Sequence, residues 1–390
     1  MAATLDNVEL TAHQNHLPAS TELLGDLITL PQNRLSQSGR AIRQLLTGSG
    51  NPESNVESFF KPSVRSWWCQ VDSCCVWHHI ADDLENLFRG ESGRCNKFAR
   101  QAVRIAFHDA GTWSKATAHQ GGGADGSIIL SPDEMTRIEN SGMSEVAAHY
   151  MRIYHRYHVD LGFRSVSMAD LLQFGSSVAT VVCPLGPRVR TWVGRQDSNA
   201  SAPHNLLPNP FGDAASIIEL FQNKTISPRG LIALLGSHTT SQQHFTNFSR
   251  PGDPQDSTPG VWDNLYFRET LGSVAVPERV YHIPADSNLA QHDTTRAGFE
   301  MYGRRGGQKQ WNSDYARESI RLGLLGVNNI NTMTECTRVL PRATQNFSSK
   351  DQRKIDRWLK NLDWSGVWQD VSRFLEEGHT VRVSEADLQI

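Results

Sequence analysis

Apolar residues recur along most of the chain at the spacing of α-helices, and alternating strand-like patterns are scarce. One apolar stripe runs through residues 80–88, and the same spacing returns in residues 103–107. Ser167 and Asp170 form a capping-box pattern in front of a third stripe at residues 171–182. The periodicity predicts a mainly α protein with little β structure.

A further helix is expected to begin at Ser227 and Pro228, because a capping hydroxyl is followed by a proline where no N–H is needed. Residues 231–235 then supply an apolar face that ends at His238. A last amphipathic helical region covers residues 350–376. His238 therefore stands at the end of a buried helix face.

The two ends of the chain lack this periodicity. Residues 1–66 are rich in Ser, Asn, Gln and Pro, so we expect an extension or partly ordered arm with a boundary near Trp67. The main domain then covers residues 67–376, and residues 377–390 form a C-terminal tail. The first fifteen residues have no basic region followed by an apolar stretch, and no signal peptide is predicted from them.

Composition excludes some partners. The net charge of −3 offers no electrostatic attraction for nucleic acid or a membrane surface, and no apolar run reaches 18 residues. Six cysteines allow three disulfides, although reduced, buried cysteines of an intracellular protein are the alternative. Glycosylation sequons, which are compatible with secretion, stand at Asn199, Asn223, Asn247 and Asn346.

Arg104 and His108 lie four residues apart and would share one helix face. A surface pair of this kind is common and contributes little. Ala106 and Phe107 make the helix a buried one, however, and a buried arginine beside a histidine is costly without a function. His238 has the same two interpretations: a hydrogen-bonded core histidine, or an axial ligand of haem whose other ring nitrogen needs a partner.

Two oxygen-rich loops follow the histidines. The first combines Asp109, the Gly123 carbonyl, Asp125 and Ser127 around a glycine turn. The second contains Asp256, Thr258 and Asp263 beside Pro259 and Gly260. Either could be an ordinary polar loop, but hard oxygen ligands around a tight turn are typical of calcium sites.

Four motifs occur in this order: RIAFHDAGTW, GGGADGSI, ALLGSHTT and DSTPGVWD. With them, the chain from Cys69 to about Pro341 resembles the plant-type haem peroxidase superfamily, and most closely the secreted fungal class II group of lignin and manganese peroxidases. The resemblance implies a two-lobed helical fold with haem between a distal lobe (about 67–200) and a proximal lobe (about 201–376).

The resemblance also implies roles for individual residues. His108 would be the distal base, Arg104 the distal cation, and Asn140 the amide that holds the other nitrogen of His108. Phe107 would cover the haem face. His238 would ligate the iron of a non-covalently bound haem b. Its Nδ1 proton would be accepted by Asp293, in QHDTTR.

Two Ca²⁺ ions and three disulfides complete what the resemblance implies. The distal calcium ligands would be Asp109, Gly123, Asp125 and Ser127. The proximal ligands would be Thr239, Asp256, Thr258, Val261 (by its carbonyl) and Asp263. The disulfides would be Cys69–Cys75, Cys74–Cys336 and Cys95–Cys183. A fourth bridge of the fungal group is missing, since Gly298 stands where one partner would be. This framework favours an extracellular protein.

The substrate positions depart from the family pattern. Lys97, Gln101 and His244 replace the three carboxylates of a manganese site, and Ala233 replaces the exposed tryptophan of lignin-oxidising relatives. Gln255 stands where relatives carry a proximal Phe or Trp. These departures leave the haem edge near residues 208–210 as the route for donors.

The leading hypothesis is a monomeric, secreted peroxidase that reduces hydrogen peroxide and oxidises small phenolic or aromatic donors by one-electron steps. Two alternatives remain open. One is an intracellular peroxide scavenger of the ascorbate or cytochrome c peroxidase type, whose members usually carry Trp where Phe107 stands. The other is a haem-binding protein without turnover.

Overall fold

A computed structural model describes residues 17–384 of the chain. Fifteen α-helices lie within them: α1 Gln37–Leu46, α2 Trp67–Val71, α3 Cys75–Phe88, α4 Lys97–Ala110, α5 Ser127–Leu130, α6 Ser144–Tyr154, α7 Met168–Val182, α8 Ala214–Gln222, α9 Pro228–Leu235, α10 Leu265–Thr270, α11 Pro284–Gln291, α12 Asp293–Gly303, α13 Gly307–Leu322, α14 Gln352–Leu359 and α15 Gly366–Glu376. The prediction of a mainly α protein is confirmed.

The strands of the described residues form two short antiparallel pairs. They are β1 Trp192–Val193, β2 Gln242–Gln243, β3 Asp253–Pro254 and β4 Thr334–Glu335. β1 pairs with β4 and β2 pairs with β3. The β1–β4 pair ties distant parts of the chain together and places Trp192 and Val193 in the core, whereas the β2–β3 pair closes a loop.

Helix α7 is buried along its whole length and packs against both α3 and α4. Its N-terminus is capped by the Ser167 hydroxyl, which accepts from the Asp170 amide at 3.0 Å. The predicted capping box also requires the Asp170 carboxylate to accept a hydrogen bond from the Ser167 amide. This part of the prediction is wrong, because the Asp170 carboxylate instead pairs with Arg195 at 2.9 Å. This buried pair directs Asp170 away from the helix end.

Helix α4 is the element that carries Arg104 and His108. The Asn96 side chain caps it by accepting from the Phe98 and Ala99 amides at 3.0 and 3.3 Å. Its carbonyl at Ala106 accepts from the Gln173 side chain of α7 at 3.0 Å. Capping at one end and packing along α7 hold α4 in place, which positions the residues it presents.

All six cysteines are paired, as Cys69–Cys75, Cys74–Cys336 and Cys95–Cys183. The pairing implied by the family resemblance is therefore confirmed. Cys74–Cys336 joins residues 262 positions apart and ties the start of α3 to the end of β4.

The expected N-terminal arm is wrong for residues 24–46. Leu27, Ile42 and Leu45 are almost fully buried and belong to the same hydrophobic core as α3, α4 and α7. Arg321 of α13 also donates to the carbonyls of Glu22 and Leu46, both at 2.8 Å. Residues 1–16, on which the expectation of no signal peptide rests, lie outside the described residues.

A second, smaller core closes the C-terminal end. Trp358 and Leu359 of α14 pack with Trp368 and Leu375 of α15. Val381 belongs to this cluster and the partly buried Val383 packs against it, so the expected tail from residue 377 contacts this core through both valines. The division into lobes at residues 67–200 and 201–376 stays a prediction.

Candidate active site

The distal side is built by α4 and a 3-10 turn at Ile138–Asn140. His108 Nδ1 lies 2.8 Å from the Asn140 side-chain oxygen. The Asn140 amide nitrogen donates to the Glu134 carbonyl at 2.7 Å, which assigns its oxygen as the acceptor for His108. His108 therefore carries its proton on Nδ1 and presents an unprotonated Nε2.

Burial, followed by the charge of Arg104, lowers the pKa of His108 to about 3. The hydrogen bond that His108 donates to Asn140 opposes this shift but does not cancel it. The imidazole is consequently neutral at physiological pH, which is the state that a general base requires.

Arg104 is held by backbone carbonyls rather than by a counterion. Its Nη1 donates to Ser141 at 2.6 Å and its Nη2 to Glu139 at 2.8 Å. Within residues 17–384 it makes no ion pair, and burial lowers its pKa to about 10. The guanidinium stays cationic at neutral pH, and its charge is uncompensated beside His108.

On the proximal side, His238 lies in a 3-10 turn at Gly236–Thr240 that continues α9. Its Nδ1 lies 2.8 Å from Asp286 Oδ2, and about a third of its side chain is exposed. At Gly236 a Cβ would overlap the rings of Phe267 and Trp311, so the turn requires glycine there. Nδ1 is thus fixed by a carboxylate, and Nε2 remains available as a ligand.

The prediction that Asp293 partners His238 is wrong, because Asp286 occupies that place. Asp286 is 2% exposed and lies in the first turn of α11. Asp293 is solvent-exposed and begins the next helix. A sequence signal for Asp286 does exist: Pro284 predicts a helix start, and Asp286 then shares a face with Leu289 and Ala290.

The first oxygen cluster lies directly behind α4. The Asp109 carboxylate accepts from the amides of Gly126 at 3.0 Å and Ile128 at 3.3 Å. Burial, and next the charge of Asp125, raises the pKa of Asp109 well above its usual range. The Ser127 hydroxyl is buried, and no residue from 17 to 384 is its hydrogen-bond partner. An orphaned hydroxyl beside one buried and one partly buried carboxyl group, those of Asp109 and Asp125, fits a bound cation.

The backbone carbonyl of Gly123 is the fourth oxygen group of this cluster. Its φ of 110° and its close approach to the Leu325 carbonyl leave no room for a side chain. The Gly123 carbonyl also accepts from the Asp125 amide at 2.9 Å. The glycine thus allows the loop to curl around its own oxygens.

The second cluster begins at Thr239, the residue that follows His238. The Thr239 hydroxyl donates to Asp256 at 2.5 Å and lies 3.4 Å from the Val261 carbonyl. Thr258 also donates to Asp256, at 3.1 Å. Burial, followed by the charge of Asp263, raises the pKa of Asp256, and burial raises that of Asp263. Asp256 is buried and Asp263 is partly buried, and neither forms an ion pair within residues 17–384, which again fits a cation.

Carboxylates from other elements lie beside Lys97 and His244, two of the positions where the sequence predicts that no manganese site is formed. Lys97 pairs with Glu145 at 3.1 Å and with Glu377 at 3.3 Å. His244 pairs with Glu376 at 3.0 Å. Sequence reasoning missed these contacts, because the acidic residues come from α6 and from the end of α15.

Two further substrate positions are enclosed. Ala233 is fully buried in α9, so no side chain reaches the surface there. Gln255 is also buried, and its side-chain oxygen has no hydrogen-bond partner within the described residues. The helices of the described residues are all too short or too polar to span a membrane.

Comparison with known proteins gives the class to which this site belongs. Residues 80–305 match the family described as Peroxidase. The chain is 30% identical to a peroxidase of Arthromyces ramosus over 70% of its own length and 77% of that protein. It is 28% identical to ligninase C of Trametes versicolor over 69% of its length and 75% of that protein.

A versatile peroxidase of Pleurotus eryngii is 32% identical over 51% of the chain and 53% of that protein. The chain belongs to the peroxidase family and has its mainly α fold. It is a hydrogen-peroxide-dependent oxidoreductase of the haem peroxidase kind.

The donor set fits the haem that this family implies. His238 offers a free Nε2 whose opposite nitrogen is bound to a carboxylate, which is the form of a strong axial ligand. His108 offers a second free Nε2, and Arg104 an uncompensated positive charge. His238 suits iron ligation, whereas His108 and Arg104 suit proton transfer next to a developing negative charge.

Proposed function

We propose that the chain is a secreted peroxidase that holds haem b between His108 and His238 and oxidises small phenolic or related aromatic donors. The observation that carries this proposal is the pair of oriented imidazoles, His108 on Asn140 and His238 on Asp286, each at 2.8 Å. In both, Nδ1 is bound and Nε2 is free. A haem-binding protein without turnover would not need the oriented distal pair.

In this proposal haem, when bound, supplies the iron at which peroxide is reduced and the donors are oxidised. His238 would ligate that iron. His108 takes a proton from peroxide at Nε2 and returns it to the departing oxygen as general base and then general acid. Arg104 stabilises the negative charge that develops on the departing oxygen. Asn140 keeps Nε2 unprotonated by holding the proton on Nδ1.

Both oxygen clusters are proposed as Ca²⁺ sites. The raised pKa values of Asp109 and Asp256 and the orphaned Ser127 hydroxyl support this proposal. The first cluster would fasten α4 from behind, and the second would fasten the turn that carries His238. Calcium would therefore stabilise the two walls of the active site.

The donor assignment is supported by what surrounds Lys97 and His244. The nearby carboxylates of Glu145, Glu376 and Glu377 already have basic partners in Lys97 and His244, so a divalent metal would have to displace those partners. Small aromatic donors would reach the haem edge near residues 208–210. We do not expect a surface tryptophan to act at position 233, since Ala233 is buried.

Secretion is supported by the disulfides and by the sequons. All six cysteines are oxidised, which is typical of extracellular proteins. None of the four sequon asparagines is buried. The family framework of the secreted fungal relatives agrees with this localisation. Phe107 and the disulfides argue against the intracellular alternative.

The test is the absorbance change of the haem-loaded protein on mixing with hydrogen peroxide. Wild type should react rapidly, and His108→Leu should react about 10²–10⁴-fold more slowly, because the general base is lost. His149→Leu, a partly exposed histidine of α6 outside the site, is the control and should match wild type. No rapid change in wild type would refute the enzyme proposal.

Steady-state rates with a small phenol and with Mn²⁺ then test the donor. We expect turnover with the phenol and no saturable oxidation of Mn²⁺. Efficient, saturable Mn²⁺ oxidation would overturn the donor assignment while leaving the peroxidase assignment intact.

A further inference from the structure

Asp286 accepts two hydrogen bonds on the same carboxylate oxygen. Its Oδ2 lies 2.8 Å from His238 Nδ1 and 2.8 Å from the hydroxyl of Tyr266. Among the described residues, His238 is the only basic side chain within ion-pair distance of this carboxylate. The Tyr266 phenol is therefore the second donor that shares its negative charge.

Tyr266 is held rigidly in this position. It is fully buried on α10, and its ring meets the His238 ring edge-on at 5.9 Å and 89°. Phe267 and Phe299 pack against it at 5.4 and 6.3 Å. Buried aromatic rings on both sides leave the hydroxyl little freedom, so its hydrogen bond to Asp286 is a fixed feature of the proximal wall.

Helix α10 also links Tyr266 to the second oxygen cluster. The Asp263 carboxylate accepts from the Leu265 amide at 2.9 Å at the start of this helix. Thr239, which follows His238, bonds to Asp256 of the same cluster. The second oxygen cluster thus helps to fix His238 through the adjacent Thr239 and helps to fix Tyr266 through the start of α10.

We propose that Tyr266 is a positioning residue of the proximal site, which acts through Asp286 to limit the electron density that His238 gives to iron. This inference rests on the proposed function, in which His238 is the axial ligand. A carboxylate oxygen that already accepts a phenol proton pulls less strongly on the Nδ1 proton of the histidine. The imidazole then keeps more neutral character.

Removal of the Tyr266 hydroxyl should increase the electron density that His238 gives to iron. In Tyr266→Phe, the whole charge of Oδ2 acts on His238, so the imidazole becomes more anionic and a stronger ligand. We expect a higher Fe–His stretching frequency in the resonance Raman spectrum of the ferrous protein. We also expect a more negative ferric/ferrous midpoint potential.

The chain offers a matched control in Tyr302. It is also fully buried, and its hydroxyl bonds to a carboxylate, Asp314 Oδ2 at 2.9 Å, away from His238. Tyr302→Phe should leave the stretching frequency and the midpoint potential at the wild-type values. Asp286→Asn should shift both in the direction opposite to Tyr266→Phe, because it withdraws the anionic acceptor.

The outcomes distinguish failure of the proposed function from failure of the inference about Tyr266. A ferrous wild type without an Fe–His band would refute His238 as ligand, and with it this inference. A normal band that is unchanged in Tyr266→Phe would overturn this inference alone and reduce Tyr266 to packing. A shift in the same direction as Asp286→Asn would also overturn it.

A second variant keeps the test valid if Tyr266→Phe fails to fold. Difluorotyrosine at position 266 retains the ring and makes the hydroxyl a stronger donor. It should lower the stretching frequency and raise the midpoint potential. Absence of either shift in this folded variant would overturn the inference.

Discussion

At the scale of single residues, the protonation state of His108 decides whether the site can accept a proton. The imidazole is buried next to a guanidinium that has no counterion among the residues that the structure describes, and both effects disfavour the charged form of His108. The Asn140 amide settles which nitrogen carries the proton. Charge and tautomer are therefore controlled by different neighbours.

The first prediction concerns pH. Because the pKa of His108 lies near 3 rather than at its ordinary value of 6.5, the base stays unprotonated as pH falls through 6.5. The second-order rate constant for peroxide should therefore show no inflection between about pH 5 and pH 8, measured by stopped-flow absorbance. A loss of rate centred near pH 6.5 would show that His108 is solvated instead.

The second prediction separates the two aspartates of the proximal region. Asp286→Asn should lower the rate constant for peroxide by about 10–100-fold, since the axial histidine loses its anionic partner. Asp293→Asn, at an exposed position, should leave that rate constant unchanged. Equal effects of the two substitutions would contradict the pairing of His238 with Asp286.

At the scale of elements, two oxygen-rich loops each hold one wall of the site. One follows α4 and returns the carboxylate of Asp109 to the amides of Gly126 and Ile128. The other encloses Thr239 and the start of α10. Within residues 17–384 neither Asp109 nor Asp256 forms an ion pair with a basic side chain, and we expect a bound cation to stabilise each loop.

The third prediction is that a chelator lowers the melting temperature and that Ca²⁺ restores it, whereas Mg²⁺ does not. Mg²⁺ prefers a tighter octahedral shell and keeps its waters. Ser127→Ala should lower the melting temperature in Ca²⁺ but not in chelator, because the hydroxyl has no protein partner to lose.

Differential scanning calorimetry in the two buffers measures this difference. Thr136→Ala, which removes an exposed hydroxyl on a neighbouring turn, is the control and should have the same effect in both. A Ser127→Ala protein that is equally destabilised with and without Ca²⁺ would count against a metal at this position.

At the scale of the whole molecule, the N-terminal segment is part of the main core. Helix α1 begins at the Ser36 cap and inserts Ile42, Leu45 and Leu46 among core residues. Leu17 and Ile232 lie against Gly298, the position where the family resemblance implies a cysteine. The segment thus packs where the missing disulfide partner would have been.

The fourth prediction tests this packing. Ile42→Ala should lower the free energy of unfolding by about 2–5 kcal/mol, because it leaves a cavity in a fully buried site. Ile28→Ala, at a side chain that is 65% exposed, should change it by less than about 0.5 kcal/mol. Chemical denaturation measures both. Two equally small effects would restore the view of residues 24–46 as a separate arm.

The predicted domain boundary near Trp67 is wrong because residues 24–46 reach the core through short 3-10 turns and a ten-residue helix. Such short pieces leave no long apolar period in a sequence. Their packing involves partners such as Arg321, which donates to the Leu46 carbonyl from 275 positions away. A pattern search that runs along the chain cannot detect a contact of this kind.

The sequence by itself determined the local features: the helical class, the Arg104–His108 face, the glycine turn at Gly123 and the apolar helical stripe that leads to His238. Each depends on residues within a turn or two of one another, where spacing dictates geometry. Only the tertiary structure decided that Asp286 rather than Asp293 meets His238, that Tyr266 shares the same oxygen, and that carboxylates from α6 and α15 surround Lys97. These contacts join separate elements, and their distances depend on how helices pack.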